Sequence, residues 1–113
     1  MEQQTKKVRL IVSGRVQGVA FRYNTLQEAR ELNLAGWVKN LRDGGVEILA
    51  QGPSKRVDRL VEWAHHGPRM ARVDNVCVVE ERRWPETNVA GVRQASQPAD
   101  RGPQIPSSFE IRY

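Results

Sequence analysis

Two helix-like segments, separated by short strand-like segments, dominate the first 83 residues of this chain and limit the folds that it can adopt. The clearer helix carries apolar residues at positions i, i+3, i+4 and i+7, which form a stripe along one face. These residues are Val57, Leu60, Val61 and Ala64. The predicted order is a strand at 8–12, a helix at 21–33, strands at 35–40 and 46–51, a helix capped by Ser54 and stopped by Gly67, and a strand at 73–83. This β-α-β-β-α-β order predicts an α+β, ferredoxin-like split βαβ fold, with two helices packed on one face of an antiparallel-rich mixed sheet.

The pattern is interrupted between Trp84 and Pro106. This stretch contains four prolines and few large apolar residues, so it has no helical or strand periodicity. Such composition over this length predicts a mobile loop insert at 85–106. Residues 109–113 alternate again and predict a short C-terminal edge strand. A chain of 113 residues is typical of one domain, so residues 1–113 are interpreted as a single domain with an insert.

The net charge of the chain indicates the sign of the charge that its partner carries. The net charge is +5 and the isoelectric point is about 10. This favours nucleic acid, phosphorylated metabolites or acidic surfaces, although for charge alone the better explanation is that the basic residues only solvate a surface. No apolar run reaches the ~20 residues of a membrane span. Polar residues 1–7 lack the apolar core of a secretion signal, and Cys77 is the only cysteine, so we expect a cytoplasmic protein.

The loop between the first strand and the first helix is the segment most typical of a binding site. Residues 14–22 read GRVQGVAFR, and the two glycines permit positive φ angles and close approach to a ligand. Consecutive N–H groups in such a loop form an anion-binding nest, and the helix N-terminus adds further donors. Arg22 lies in the first helical turn, where a cation opposes the helix dipole. A bound phosphate would remove this conflict, so the loop predicts a phosphate site.

The second candidate residue is Asn40. A helix of about 13 residues descends roughly 20 Å at ~1.5 Å per residue, and the following strand returns about the same distance. Asn40 is therefore expected at the same end of the sheet as the loop. Its amide could orient a water molecule beside phosphate oxygens. Asn is also common in turns, so Asn40 could instead only begin the turn at 41–45, and geometry alone leaves both interpretations open.

Two sequence blocks resemble the signature of the acylphosphatase family. The first is GRVQGVAFR at 14–22, and the second is GWVKN at 36–40, followed by Gly44, Gly45, Val46 and Gly52. Both blocks have the order and spacing of that family. The resemblance implies a ferredoxin-like fold and a metal-independent hydrolysis of acyl phosphates to a carboxylate and inorganic phosphate, with no cofactor. It implies that Arg22 binds the phosphate and that Asn40 positions the attacking water.

The resemblance further implies a cradle of backbone N–H groups for the phosphate. Its residues would be Arg15, Val16, Gln17, Gly18, Val19, Ala20 and Phe21. The expected partners are a small-molecule acyl phosphate, with inorganic phosphate or sulfate as a product-like ligand. This sequence departs from the family at Leu41, where a Thr or Ser hydroxyl often assists the water, and in the length of the insert at 85–106.

Other binding functions are less well supported. RNA-recognition modules share the same element order but stack bases on aromatics of strands one and three, and neither predicted strand contains an aromatic residue. Nucleic acid is therefore not the expected partner. A phosphate-binding unit without catalysis remains a further alternative. His65, His66 and Cys77 do not supply a metal site, and the small size favours a monomer.

Overall fold

The computed structural model describes residues 4–85, 105–106 and 108–113. In this part of the chain, one mixed sheet of five strands is combined with two helices. The elements are β1 (Gln4–Arg15), α1 (Phe21–Glu31), β2 (Ala35–Asn40), β3 (Val46–Pro53), α2 (Ser54–His66), β4 (Arg72–Pro85) and β5 (Glu110–Arg112). The strand order is β4-β1-β3-β2-β5, with β2 and β5 parallel and the other pairs antiparallel. The predicted ferredoxin-like α+β fold and the edge position of the last strand are confirmed.

The core lies between the sheet and its two helices. Even-numbered residues of β1 face the helices, and odd-numbered residues face the opposite side. The predicted stripe of α2 packs against this face, with Val57, Leu60 and Ala64 fully buried and Val61 partly buried. Phe109 is also fully buried and anchors the chain just before β5. A buried side chain of this kind contributes about 1.5–3 kcal/mol, so burial of these apolar faces holds both helices on the sheet.

The first strand is longer than predicted at both ends. The predicted strand covered the β-branched, roughly alternating residues 8–12 and left out the polar residues before them, yet Lys6 and Lys7 are both buried in the sheet. The ammonium group of Lys6 lies 2.5 Å from a carboxylate oxygen of Asp58, and that of Lys7 lies 3.4 Å from Glu80. These ion pairs join distant parts of the chain, so the local pattern gave no sign of them.

The fourth strand also extends beyond its predicted end. Trp84 and Pro85 were assigned to the insert, but they pair with Thr5 and Gln4 at the start of β1. Residues 86–104, which make up most of the predicted insert, lie outside the described residues.

Both helices differ from the prediction at one end. The helix predicted at 21–33 ends at Glu31, since Asn33 has a φ of 55° and leaves the helical conformation. Ser54 was wrongly predicted as the N-cap of the second helix. The N-cap is Pro53, and Ser54 is the first helical residue, because β3 runs directly into α2 without an intervening turn.

The face of the sheet away from the helices carries paired charges. The Arg9 guanidinium donates to Glu47 at 2.7 Å, and this hydrogen bond raises the pKa of Arg9. Lys39 lies 3.6 Å from the same carboxylate, and Arg9 also reaches Glu80 at 3.7 Å. β1 and β3 contribute no aromatic residue to this face. A surface of mutually neutralised charges without these aromatics does not favour the nucleic-acid alternative.

Neither of the two helices in the described ranges has the length and the apolar composition that a membrane-spanning helix requires.

Close contact between β2 and β3 requires glycine at position 36. Gly36 has a φ of 140°, and a Cβ added there would lie 1.8 Å from the Leu49 carbonyl oxygen. We expect Gly36→Ala to lower the free energy of unfolding by about 3 kcal/mol, because strain and a backbone clash act together. Urea denaturation measures this loss. Gly44→Ala is the matched control, since Gly44 also has a positive φ but no atom within 4 Å, and strain alone costs about 1–2 kcal/mol. Equal losses in the two variants would contradict the proposed clash.

Candidate active site

The sheet brings the β1–α1 loop and the end of β2 to the same edge. Val46, the first residue of β3, pairs with Val12 near the end of β1 and with Asn40 at the end of β2. Because β3 runs antiparallel to both strands, β1 and β2 are parallel and their carboxyl ends lie on either side of Val46. The geometric prediction that Asn40 returns to the loop is therefore confirmed.

The loop leads into α1 through two residues with positive φ. Gly18 has a φ of 76°, and Ala20, the N-cap of α1, has a φ of 61°. Within the described residues, no N–H group from Val16 to Ala20 donates to a main-chain carbonyl. The first turn of α1 adds further N–H donors that have no partner inside a helix, and it contains no acidic residue. This run of unbonded donors carries partial positive charge and suits an anion.

A cavity of about 300 Å³ opens beside this loop, and both Arg22 and Asn40 line it. Its walls come from the β1–α1 loop, the start of α1, the end of β2 and the last strand. The lining residues are Val16, Gly18, Ala20, Phe21, Arg22, Tyr23, Asn40, Ile111 and Tyr113. Sequence reasoning missed Tyr23, Ile111 and Tyr113. The alternation of the closing segment was visible, but nothing local indicated which strand it would join.

The seven predicted cradle residues are not equivalent in the structure. Four of them, Val16, Gly18, Ala20 and Phe21, line the cavity. Arg15 belongs to β1 and is exposed, and Val19 packs partly against the core. The Phe21 ring is fully buried, 5.5 Å from the ring of Trp63, so α1 begins at a fixed point in the core.

Gln17 fastens the loop to the β2–β3 hairpin. Its side-chain Nε2 donates to the carbonyl oxygens of Leu41 at 2.7 Å and Gly45 at 2.8 Å. Gln17 was predicted to supply a backbone N–H group to the phosphate cradle. Its side chain, in addition, joins the loop to the β2–β3 hairpin. Two hydrogen bonds from one amide fix the loop relative to the strand that carries Asn40.

We expect Gln17→Ala to lower the free energy of unfolding by about 1–2 kcal/mol, because two hydrogen bonds are lost while both carbonyls keep a main-chain donor. A looser loop is also expected to weaken binding of inorganic phosphate several-fold. Urea denaturation and phosphate titration calorimetry measure the two effects. Gln27→Ala, at an exposed position of α1, is the matched control and is expected to stay within ~0.5 kcal/mol of the wild type. Unchanged stability and phosphate affinity in Gln17→Ala would contradict the clamping role.

The guanidinium of Arg22 forms no ion pair with any described residue. Its Cζ atom lies 4.9 Å from the centroid of the Tyr113 ring, a distance typical of a cation–π contact. A guanidinium that stacks on a ring keeps the N–H groups in its own plane free to donate hydrogen bonds. Arg22 is therefore held beside the cavity, and its guanidinium makes no hydrogen bond to the residues that the structure describes.

The side-chain oxygen of Asn40 is buried and accepts no hydrogen bond within the described part of the chain. The turn that follows is held by other groups: the Leu41 N–H donates to the Gly45 carbonyl at 2.8 Å, and the Gly45 N–H donates to Asp43 at 2.9 Å. The turn thus makes no use of the Asn40 amide. A buried acceptor without a partner costs about 1–3 kcal/mol, so among the described residues this oxygen is left available to a donor such as a bound water or ligand.

Comparison of the sequence with models of known protein families shows to which family the chain belongs. The acylphosphatase family model matches residues 8–100. The chain belongs to the acylphosphatase family. An acylphosphatase of Rubrobacter xylanophilus is 54% identical over 79 residues, which cover 70% of this chain and 72% of the relative. One of Geobacter sulfurreducens is 52% identical over 77 residues, which cover 66% and 85%.

Solved acylphosphatase structures have the same fold. The crystal structure from Bacillus subtilis superposes with a TM-score of 0.71 at 35% identity and covers 96% of this chain and 99% of its own. The structure from Coxiella burnetii gives a TM-score of 0.71 at 33% identity, with 96% and 94% covered. The family match includes both sequence blocks that line the cavity, so the resemblance drawn from those blocks is confirmed at the level of the family.

Leu41, at which the sequence departs from the family resemblance, directly follows Asn40 in the site region. Its side chain is half-buried and offers no hydroxyl next to Asn40, while its main chain makes the turn contacts described above. In the described ranges, no group of three or more His, Cys, Asp or Glu side chains is arranged to hold a metal ion. His65 and His66 are exposed at the end of α2, away from the cavity lining.

Proposed function

We propose that this chain hydrolyses acyl phosphates to a carboxylate and inorganic phosphate in the cavity between the β1–α1 loop and Asn40. The observation that carries the proposal is that three unsatisfied groups border one cavity. Within the part of the chain that the structure describes, these are the loop N–H groups that donate to no main-chain carbonyl, the guanidinium of Arg22 that forms no ion pair, and the buried amide oxygen of Asn40 that accepts no hydrogen bond. Together they complement a tetrahedral anion with a water molecule beside it.

The phosphoryl group would be held by the loop and Arg22. The backbone N–H groups of residues 15–21 and the start of α1 would donate to its oxygens, and the guanidinium would donate to two more. In phosphoryl transfer, charge spreads over the equatorial oxygens, so donors fixed in advance lower the barrier. Gln17 and the buried Phe21 support this, because they keep the loop in place before the substrate arrives.

Asn40 would position the attacking water. Its Oδ1, which has no donor among the described residues, would accept a hydrogen bond from the water, and its NH₂ group would donate to a phosphate oxygen. Attack on phosphorus forms the new P–O bond, and the bond between phosphorus and the acyl oxygen breaks. The proton of the water passes to a phosphate oxygen, which balances the reaction without a protein base.

The chemistry of the leaving group explains why no protein acid is needed. A carboxylate leaves, and its conjugate acid has a pKa of only about 4. Such a group departs without being protonated. Arg22, Asn40 and the loop amides therefore suffice, and among the described residues that line the cavity none has a side-chain carboxylate or an imidazole.

We further infer that the protein acts as a monomer in the cytoplasm. The exposed thiol of Cys77 supports a reducing compartment, because an accessible unpaired cysteine is oxidised readily elsewhere.

The deciding experiment is an assay with benzoyl phosphate and acetyl phosphate in the presence of a metal chelator. We expect turnover of the acyl phosphates and competitive inhibition by inorganic phosphate and by sulfate. Phosphate binding without turnover would instead support the non-catalytic phosphate-binding unit. Retention of single-stranded RNA on a filter at physiological salt, without hydrolysis, would support the nucleic-acid alternative.

A further inference from the structure

We propose that Tyr23 and Tyr113 form a subsite for the acyl group of the substrate and that this subsite favours flat aromatic acyl groups over small aliphatic ones. The proposal rests on the proposed function, because it assigns the part of the same cavity that lies beyond the phosphate. Both tyrosines line the cavity together with Arg22 and Asn40.

The last strand carries Tyr113 to the site. β5 runs parallel to β2, with Ile111 beside Val38 and Arg112 beside Lys39. One step further along the same register, Tyr113 comes next to Asn40. Ile111 and Tyr113 lie on the same face of β5, since side chains alternate, and both border the cavity. The apolar wall at this side is thus built from a segment distant in sequence from the phosphate loop.

The exposure of the two rings is unusual for this protein. Among the described residues, only five large apolar side chains are exposed, and two of them are aromatic: Tyr23 at 57% and Tyr113 at 98%. Both of these aromatic residues line the cavity. Exposed apolar surface that is concentrated at one cavity is typical of a binding site.

The position of Arg22 links the two parts of the site. Its Cζ lies 4.9 Å from the centre of the Tyr113 ring, and Tyr23 follows it directly in the first turn of α1. The acyl carbon is joined to the phosphorus through a single oxygen, so a phosphate held by Arg22 leaves the acyl group within a few bonds of both rings. A benzoyl ring can pack against these rings with offset or edge-to-face geometry, whereas an acetyl group has too little surface to do so.

The test compares kcat/KM for benzoyl phosphate with that for acetyl phosphate in the wild type and in the double variant Tyr23→Leu/Tyr113→Leu. Loss of two aromatic contacts corresponds to a change of about tenfold or more in affinity. We expect the benzoyl-to-acetyl ratio to fall about tenfold, mainly through KM for benzoyl phosphate. The inhibition constant of inorganic phosphate is expected to stay within about twofold in the single variant Tyr23→Leu, which keeps the stacking of Tyr113 on Arg22, and to rise in the double variant, which removes that contact. The ratio of the two substrates cancels this loss, because both substrates bind through the same phosphate group.

Two further variants make the result specific. Tyr23→Phe/Tyr113→Phe keeps both rings and is expected to retain the wild-type ratio. Val78→Thr changes an exposed apolar residue of β4 that does not line the cavity, and it is expected to have no effect. An unchanged ratio in the leucine double variant, or an equal loss for both substrates, would overturn the subsite while leaving acyl phosphate hydrolysis in place. A wild-type protein that hydrolyses neither substrate would overturn the proposed function itself.

Discussion

Replacing Arg22 by lysine is expected to lower kcat/KM for benzoyl phosphate by at least about a hundredfold, with the fold intact. Lysine keeps the positive charge but replaces the planar fork of donors with a single ammonium group. Lysine cannot donate hydrogen bonds to two phosphate oxygens in a bidentate geometry. Stabilisation of the transition state is therefore lost, although the electrostatic attraction to the substrate is retained. Steady-state kinetics and the inhibition constant of phosphate measure both effects.

The structure offers a direct control for this substitution. Arg30 lies in the last turn of α1, is exposed and does not line the cavity. Arg30→Lys makes the same chemical change on the same helix and is expected to retain wild-type kinetics. Because Arg22 forms no ion pair with the described residues, Arg22→Lys is also expected to leave the melting temperature almost unchanged. Near-normal turnover in Arg22→Lys would refute its assignment as the phosphate-binding group.

Replacing Asn40 by alanine is expected to lower kcat by about a hundredfold while inorganic phosphate binds with nearly unchanged affinity. The phosphate contacts come mainly from the loop and Arg22, so the affinity survives. Alignment of the water depends on the Asn40 amide, so turnover is strongly reduced. Steady-state kinetics give kcat, and calorimetry gives the affinity for phosphate.

Stability adds a second readout for Asn40. Its Oδ1 is buried without a hydrogen-bond donor in the described part of the chain, so Asn40→Ala removes an unsatisfied acceptor. We therefore expect the free energy of unfolding to stay constant or to rise, in contrast to most substitutions of a partly buried residue. Asn75→Ala, at an exposed position of β4, is the control for general effects of removing an amide. Loss of phosphate binding together with normal turnover of bound substrate would contradict the positioning role.

The two tests together separate binding from chemistry. The proposed mechanism places phosphate capture on Arg22 and water alignment on Asn40. Arg22→Lys is thus expected to affect both the inhibition constant and turnover, while Asn40→Ala affects turnover alone. Equal behaviour of the two variants would mean that one residue acts through the other, in disagreement with their separate positions on α1 and β2.

Much of the fold could be predicted because its signals are local. The stripe of α2 repeats with helical periodicity, and the alternation of residues 8–12 in β1 reports the buried face of that strand. The order of the elements then selected the ferredoxin-like arrangement. The approach of Asn40 to the loop also followed from the sequence, since helix and strand lengths alone fix where β2 ends. The conformation of Gly18 was predictable, because a glycine between a strand and a helix favours positive φ.

The sequence by itself therefore determined the element order, the loop with Arg22 and the end of the sheet where Asn40 lies, since each depends on short-range spacing. Tertiary structure alone decided the rest. Lys6 is buried because Asp58, which is 52 positions away, pairs with it. Tyr113 reaches Arg22 because β5 joins the edge of β2 instead of that of β4. The packing of the whole chain decides how the strands pair and which distant carboxylate lies next to a buried lysine. Such contacts produce no periodic pattern in the sequence, so they could not be predicted from it.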